Sequence, residues 1–229
     1  MRWRRTSSSS TATRASLKPE AAEAAEHGVG DRKKIVLFDI MDTLVKDPFF
    51  VDMFRHFGFN SFDEMMVAKT PRTWLEFERG LLSEDQLADQ FFLDGVEATF
   101  DLAKFKQYLT ESYVLLPGMI EILDELRCNQ VEMHAFSNYP VFYELIEAKL
   151  KLSKYLKWSF VSCNTGFRKP EPQSFEACTA ALQVPPSLLV LVDDRAVNCQ
   201  AACDFGFGAG IVFENADSLR AELSKLDLL

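Results

Sequence analysis

The sequence predicts an α/β protein: a doubly wound, mostly parallel sheet with a helical segment inserted after its first strand. A short apolar run, "KKIVLFDI" (residues 33–40), ends at a polar loop and is typical of a buried strand. From residue 117 onwards, apolar runs alternate with amphipathic helical segments, which indicates βαβ crossovers. Between these parts, residues 47–116 carry helix signals and no strand signal.

Composition limits the possible functions. The 229 residues, 48% of them hydrophobic, suffice for a core domain with an insertion, and the formal net charge is −9. No basic stripe follows residue 35, which argues against nucleic-acid binding, and no apolar run is long enough to span a bilayer. Five cysteines without a C-x-x-C pair make a disulfide framework unexpected and favour a reducing compartment.

The N-terminal segment differs from the rest. "MRWRRTSSSSTATRASLK" (residues 1–18) is basic, rich in hydroxyl groups and free of acids, and it lacks the apolar centre of a secretory signal. We therefore interpret residues 1–32 as an organelle transit peptide with an acidic, Ala-rich linker. A disordered tail is the alternative.

Local signals define the elements. In the insertion, Ser61–Glu64 and Ser83–Gln86 have capping-box spacing, and Pro71 suits the first turn of a helix. Further along, Gly206 is predicted to end a helix. The predicted strands are 131–137, 158–163, 187–194 and 209–213, and the predicted helices are 117–127, 141–152, 172–182, 196–206 and 216–226.

Polar residues follow the predicted strands. They are Asp39, the pair Ser137-Asn138, Lys169 in the loop "NTGFRKP", and the pair Asp193-Asp194. Ligands of such sheets bind beyond the carboxyl ends of the strands. Each residue alone is compatible with a turn, a helix cap or a solvated side chain. The four together, at successive strand ends, favour a site.

This set suits phosphoryl transfer. A carboxylate can attack phosphorus and form an aspartyl phosphate, which divides one difficult step into two. A second acid can hold the Mg²⁺ that offsets the repulsion between carboxylate and phosphate. A hydroxyl, backbone amides and a lysine can then stabilise the charge on the phosphoryl oxygens.

The motifs "FDIMDTLV", "HAFSN", "RKPEP" and "VDDRAVN", in this order, resemble the four motifs of the haloacid dehalogenase (HAD) superfamily. The resemblance implies a HAD-like Rossmannoid core (33–46 and 117–229) and a helical cap (47–116) that closes over the site. It implies that Asp39 is the nucleophile and that Ser137, with the backbone beside Asn138, binds the phosphoryl group.

The resemblance also assigns the remaining site residues. Lys169 would bridge the nucleophile and the phosphate. Mg²⁺ would be held by Asp39, the backbone carbonyl of Met41 and Asp194. Supporting roles fall to Asp193, Asn198 and Thr43.

Met41 departs from the pattern of most phosphatases of the superfamily, which carry an acid/base Asp there. A missing general acid costs about 10²–10⁴ in rate. Three interpretations stay open: a specialised phosphatase with another proton donor, of which Asp42 and His134 are the nearest in sequence; a dehalogenase, which the Asp193-Asp194 pair disfavours; or a protein that only binds its ligand.

The substrate prediction rests on the composition of the insertion and on a resemblance to one subgroup of the superfamily. The insertion is rich in aromatic residues, densest in "DPFFVDMFRHFGFN" (47–60), and an aromatic lining suits a planar ligand. Segments such as "HAFSNYP" and "WLEFERGL" resemble the plant and algal plastid flavin mononucleotide (FMN) hydrolases. The resemblance implies hydrolysis of FMN to riboflavin with Mg²⁺ in the chloroplast stroma; a mitochondrial or cytoplasmic location is the alternative. Other candidates are a sugar- or nucleotide-phosphate phosphatase and an impaired flavin- or phosphate-binding protein.

Overall fold

Five parallel strands form one sheet. The computed structural model describes residues 33–49 and 51–229, so that the predicted transit segment (1–32) and Phe50 lie outside the described residues. The strand order is β3-β2-β1-β4-β5, as expected of a doubly wound sheet. The strands are β1 (Ile35–Phe38), β2 (Glu132–Ser137), β3 (Lys157–Val161), β4 (Leu189–Asp193) and β5 (Ala209–Val212).

Eleven α-helices are present in the described part of the chain. All the strands and helices predicted after residue 117 are present, with ends that differ by a few residues. Gly206, with φ of +111°, ends its helix as predicted. The helices are α1 (Met53–His56), α2 (Phe62–Ala68), α3 (Thr73–Glu78), α4 (Glu84–Gln90), α5 (Leu102–Ser112), α6 (Met119–Cys128), α7 (Tyr143–Leu150), α8 (Ser162–Thr165), α9 (Pro172–Leu182), α10 (Ala196–Phe205) and α11 (Ala216–Lys225).

The central position of β1 in the sheet explains why its sequence is almost wholly apolar. β1 pairs with β2 on one side and β4 on the other, and all four of its residues are buried. Val36 and Phe38 pack into the larger hydrophobic cluster, whereas Ile35 and Leu37 pack into a second cluster on the opposite face. A strand covered on both faces needs apolar side chains at every position.

The insertion is helical, as predicted, and holds α1 to α5. Ser83 and Gln86 form a complete capping box. At Ser61 only half of the box forms, because the Glu64 carboxylate accepts from the backbone N–H of Asn60 instead of from Ser61. The prediction for Pro71 is wrong: α3 begins two residues later, after a turn.

The aromatic residues of the insertion mostly pack against one another. Phe57 and Phe105 are both buried and their rings stack with centroids 5.6 Å apart. Phe105 and Phe77 also contact Phe142, next to α7, with ring centroids 5.7 and 5.1 Å apart. These contacts join the insertion to the α/β layer, and residues 33–229 form one compact unit. The division into a core and a separate cap domain stays a prediction.

Among the described residues, no helix combines the length and apolar character needed to cross a bilayer.

Candidate active site

Lys169 joins the ends of two neighbouring strands. Its Nζ donates to Asp39 Oδ1 at 2.8 Å and to Asp193 Oδ2 at 2.5 Å, and it also donates to the carbonyl oxygen of Phe136. Asp39 directly follows β1, Asp193 ends β4, and all three charged side chains are buried. The structure therefore brings together the predicted nucleophile and the predicted lysine.

The charges of this cluster depend on one another. Burial raises the pKa of Asp39 to about 7; Lys169 opposes this shift, and Asp193 and Asp194 add to it. Burial lowers the pKa of Lys169, but the carboxylates of Asp39 and Asp193 outweigh it, so that the pKa is raised overall. Lys169 is therefore charged at neutral pH.

Asn138 fixes the position of Lys169 through its side-chain amide. Asn138 Nδ2 donates to the carbonyl oxygen of Lys169 at 2.8 Å, and the Lys169 backbone N–H donates to Asn138 Oδ1 at 2.8 Å. The side chain of Asn138 is thus occupied with the lysine loop, which leaves only its backbone for the predicted phosphate contact.

Asp193 supports the lysine and the start of α10. Its carboxylate accepts from Lys169, from the backbone N–H of Arg195 at 2.9 Å and from Asn198 Nδ2 at 2.9 Å. Asp194 is only partly buried. Its backbone N–H donates to the Thr43 hydroxyl at 3.1 Å, which ties the loop after β1 to the loop after β4.

Four buried polar atoms have no hydrogen-bond partner within the described chain. They are Ser137 Oγ, Asn198 Oδ1, Glu78 Oε2 and Arg168 Nε, of which the first two belong to predicted site residues. Nearly all buried polar atoms of a folded protein are hydrogen-bonded, so an exception in a cavity wall indicates a place for a ligand or water. Ser137 ends β2, on the edge of the sheet where Asp39 lies.

The residues present fit a hard divalent cation. Asp39, Asp193 and Asp194 face a single lysine, an excess of two negative charges when all are ionised. No cluster of three or more His, Cys, Asp or Glu side chains arranged for a metal occurs in residues 33–49 and 51–229. The predicted set uses only two carboxylates and one backbone carbonyl. Mg²⁺ suits such a set, because it is usually bound by one or two carboxylates and keeps water or phosphate oxygens as further ligands.

A cavity of about 620 Å³ opens above these groups, in the size range of small-molecule sites. The α/β layer contributes Asp39, Met41 and Ser137 to it, and the insertion contributes a largely apolar wall. Trp74, one of the aromatic residues of the insertion, also lines the cavity. So do residues that the sequence did not single out: Met66, Lys69, Leu75, Glu78, Arg168 and Arg195.

Three of these residues form a polar chain between the insertion and the α/β layer. Trp74 Nε1 donates to Glu78 Oε1 at 2.7 Å, and Arg168 Nη2 lies 2.7 Å from Glu78 Oε2. Burial raises the pKa of Glu78, while Arg168 and Trp74 lower it. Arg168 stands beside Lys169 in the sequence, and that adjacency was the only signal that pointed to it.

The two sequence candidates for proton transfer are placed differently. His134 is buried; its Nδ1 lies 2.7 Å from Ser159 Oγ and its Nε2 3.1 Å from Glu132 Oε1, and it does not line the cavity. Asp42 lines the cavity but is exposed, and its Oδ1 accepts from the backbone N–H of Asp47 at 3.0 Å.

The sequence profile of the haloacid dehalogenase-like hydrolases matches residues 33–206, and the chain belongs to this family of hydrolases. Within it, the chain is 45% identical over 194 residues to the chloroplastic flavin mononucleotide hydrolase 1 of Arabidopsis thaliana, covering 85% of this chain and 78% of the relative. It is 30% identical over 138 residues to a sesquiterpene phosphatase of Aspergillus oryzae, covering 57% of this chain and 67% of the relative.

Solved structures agree on the fold. A HAD family enzyme of Bacteroides thetaiotaomicron, in complex with magnesium and inorganic phosphate, superposes with a TM-score of 0.61 at 20% identity over 77% of this chain and 92% of its own. The L-2-haloacid dehalogenase of Xanthobacter autotrophicus gives 0.56 at 18% identity over 86% and 85%. The predicted α/β class and HAD-like core are therefore confirmed.

Proposed function

We propose that the protein is a Mg²⁺-dependent phosphatase that hydrolyses a small phosphate monoester, with FMN as substrate and riboflavin as product. The observation that carries this proposal is the contact of Lys169 with Asp39 and Asp193 below the cavity, beside the unpartnered hydroxyl of Ser137. The name of the Arabidopsis relative supports FMN.

In the proposed reaction Asp39 attacks phosphorus in line with the ester oxygen and forms an aspartyl phosphate, which water then hydrolyses. Lys169, held by Asp193 and Asn138, stabilises the negative charge on the phosphoryl oxygens. The Ser137 hydroxyl donates a hydrogen bond to one of these oxygens, which gives it the partner that it lacks.

We propose Asp39, Asp194 and the carbonyl of Met41 as ligands of Mg²⁺, with Asn198 Oδ1 available to a water in its shell. When bound, the cation offsets the excess negative charge and polarises the phosphoryl group. Any residue at position 41 supplies the carbonyl, so that Met41 is compatible with this set.

The cavity wall supports a planar substrate. Phe49 and Trp74 line it with centroids 6.2 Å apart, and they offer flat apolar surfaces to a ring system. Lys69, Glu78 and Arg168 lie in the same wall and can bond to polar atoms at the ring edge. We propose that residues 47–116 act as a cap that selects the substrate through these side chains.

The test is phosphate release from a panel of FMN, sugar phosphates and mononucleotides, with Mg²⁺ or with a chelator. We expect FMN to be preferred and the chelator to abolish turnover. Asp39→Asn should lose about 10⁴-fold or more in kcat, as nucleophile removal does in enzymes that form a covalent intermediate. Equal rates across the panel would reject FMN as the substrate, and flavin binding without turnover would indicate an impaired binding protein.

We also propose a plastid location, which the basic, hydroxyl-rich residues 1–18 and the chloroplastic relative support. A reporter fused behind residues 1–32 should be imported by isolated chloroplasts, and cytosolic retention of the fusion would argue against this location.

A further inference from the structure

The alcohol that leaves a phosphate ester needs a proton, and Met41 cannot supply one. His134 is removed from the cavity by its bonds to Ser159 and Glu132. Asp42 lines the cavity but is exposed to solvent, which separates it from the partly buried Asp47. Neither His134 nor Asp42 is therefore placed to donate this proton, and the cavity wall holds other acids.

Asp47 is a further acid in the cavity wall. It lines the cavity together with Asp39 and Met41, and it is partly buried. Its Oδ1 accepts from the backbone N–H of Phe49 at 2.8 Å, which holds the carboxyl group, and its backbone N–H donates to Asp42 Oδ1 at 3.0 Å, which holds the loop. Within the described residues no hydrogen bond to Oδ2 is found, so this oxygen is available to a ligand.

The surroundings of Asp47 favour its protonated form. Burial raises its pKa to about 6; the Phe49 amide opposes this, and the carboxylates of Asp42, Glu78 and Asp194 add to it. The other ionisable groups that sense its charge are hydroxyls: Tyr108, Tyr113 and Tyr139. A carboxyl group with a pKa near the working pH is suited to donate a proton and take it back.

We propose that Asp47 is the general acid and base of the reaction, in place of the Asp that Met41 replaces. In the first step Asp39 forms a bond to phosphorus, the ester P–O bond breaks, and the Asp47 proton passes to the leaving alcohol oxygen. In the second step water attacks the aspartyl phosphate, its proton passes to Asp47, and Asp39 is released with inorganic phosphate. This inference rests on the proposed phosphatase function.

Asp47→Asn tests the assignment, because asparagine keeps the shape and the acceptor for the Phe49 amide. With FMN, whose alkoxide leaves poorly, we expect kcat to fall by about 10²–10³. With p-nitrophenyl phosphate, whose phenolate leaves without a proton, we expect a rapid burst of about one nitrophenol per site followed by slow turnover, because only the second step then needs Asp47.

A matched control is Asp52→Asn, which changes an exposed carboxylate five residues away that does not line the cavity. It should turn over FMN at about the parental rate. An Asp47→Asn protein that hydrolyses FMN as fast as this control would overturn the assignment, as would equal losses on both substrates without a burst.

A second measurement needs only the unmodified protein. Across a series of aryl phosphates, kcat/KM should depend weakly on the acidity of the leaving phenol if an acid protonates it, and a steep dependence would overturn the inference. A parent that hydrolyses aryl phosphates but not FMN would reject the proposed substrate alone, since Asp47→Asn compared with the parent on the aryl phosphates would still test Asp47.

Discussion

Two of the buried serines, Ser137 and Ser162, have opposite hydrogen-bond environments. Ser137 Oγ has no partner in the described chain, whereas Ser162 Oγ donates to the carbonyl oxygen of Glu78 at 2.6 Å. A hydroxyl with a protein partner contributes to folding, and one kept without a partner contributes little. The contrast allows the roles of two chemically identical side chains to be separated.

Ser137→Ala should reduce kcat/KM about 10²-fold, as loss of one transition-state donor does, and leave the free energy of unfolding nearly unchanged. Ser162→Ala should lower that free energy by about 1 kcal/mol and leave phosphate release close to the parental rate. Steady-state kinetics and denaturant unfolding of both variants check this. The prediction would be contradicted if the two variants lost similar amounts of unfolding free energy and had the same kcat/KM.

At the site, the sequence was sufficient to predict which residues meet, because parallel strands end at one edge of the sheet. It left open whether Asp193 supports Asp194 or Lys169, and in the structure the Asp193 carboxylate accepts a hydrogen bond from Lys169. Asp47 was not predicted as a site residue. Its place in the wall depends on the path of the loop after β1, and no periodic pattern specifies such a path.

At the level of elements, α3 and the loop after α8 are joined by two ion pairs of different burial. Glu78 and Arg168 have side chains 10% and 20% exposed, while Arg79 and Glu171 are 31% and 35% exposed. Water screens the second pair more effectively, so the first should contribute more to stability.

Arg168→Met should lower the free energy of unfolding by about 2–3 kcal/mol at pH 8, because it leaves the Glu78 carboxylate buried without its cation. Burial already raises the pKa of Glu78, and loss of Arg168 raises it further. The folded variant then binds a proton at a higher pH than the unfolded chain does, so the deficit should shrink as the pH falls towards 5.

Arg79→Met is the matched control and should cost at most about 1 kcal/mol. Urea unfolding of the two variants at pH 8 and pH 5 measures both effects. A deficit of Arg168→Met that is the same at both pH values would contradict the electrostatic explanation.

The elements after residue 117 could be predicted almost completely, since apolar periodicity and stops such as Gly206 are local signals. The insertion could be predicted only as helical. The start of α3 was misplaced at Pro71, and the pairing of Glu78 with Arg168 joins residues 90 positions apart, which no local pattern encodes.

At the scale of the whole molecule, the insertion and the α/β layer approach each other backbone to backbone at Gly80. A Cβ atom there would lie 2.3 Å from the carbonyl oxygen of Cys163, and φ is +71°. Gly58 has a similar φ of +83° but nothing within 4 Å of its Cβ position. Both glycines have a positive φ, but only Gly80 lies against the other part of the molecule. A comparison of substitutions at Gly58 and Gly80 therefore distinguishes the effect of backbone strain from the effect of the close contact between the insertion and the α/β layer.

Gly58→Ala should cost about 1–2 kcal/mol of unfolding free energy from backbone strain alone. Gly80→Ala should cost more and also raise KM, because the clash with Cys163 displaces α3, which carries Trp74 and Glu78 in the cavity wall. Thermal unfolding and steady-state kinetics check this. Equal stability losses with an unchanged KM for Gly80→Ala would contradict it.

The cavity wall carries more acidic than basic side chains, and this affects the order in which ligands bind. Five carboxylates line it against three cationic side chains, Lys69, Arg168 and Arg195. A doubly charged anion that arrives first meets a repulsive potential, whereas a divalent cation is attracted. For the proposed Mg²⁺-dependent phosphatase we therefore expect the cation to bind before the ester, so that the free cation concentration would set how much of the protein can accept substrate.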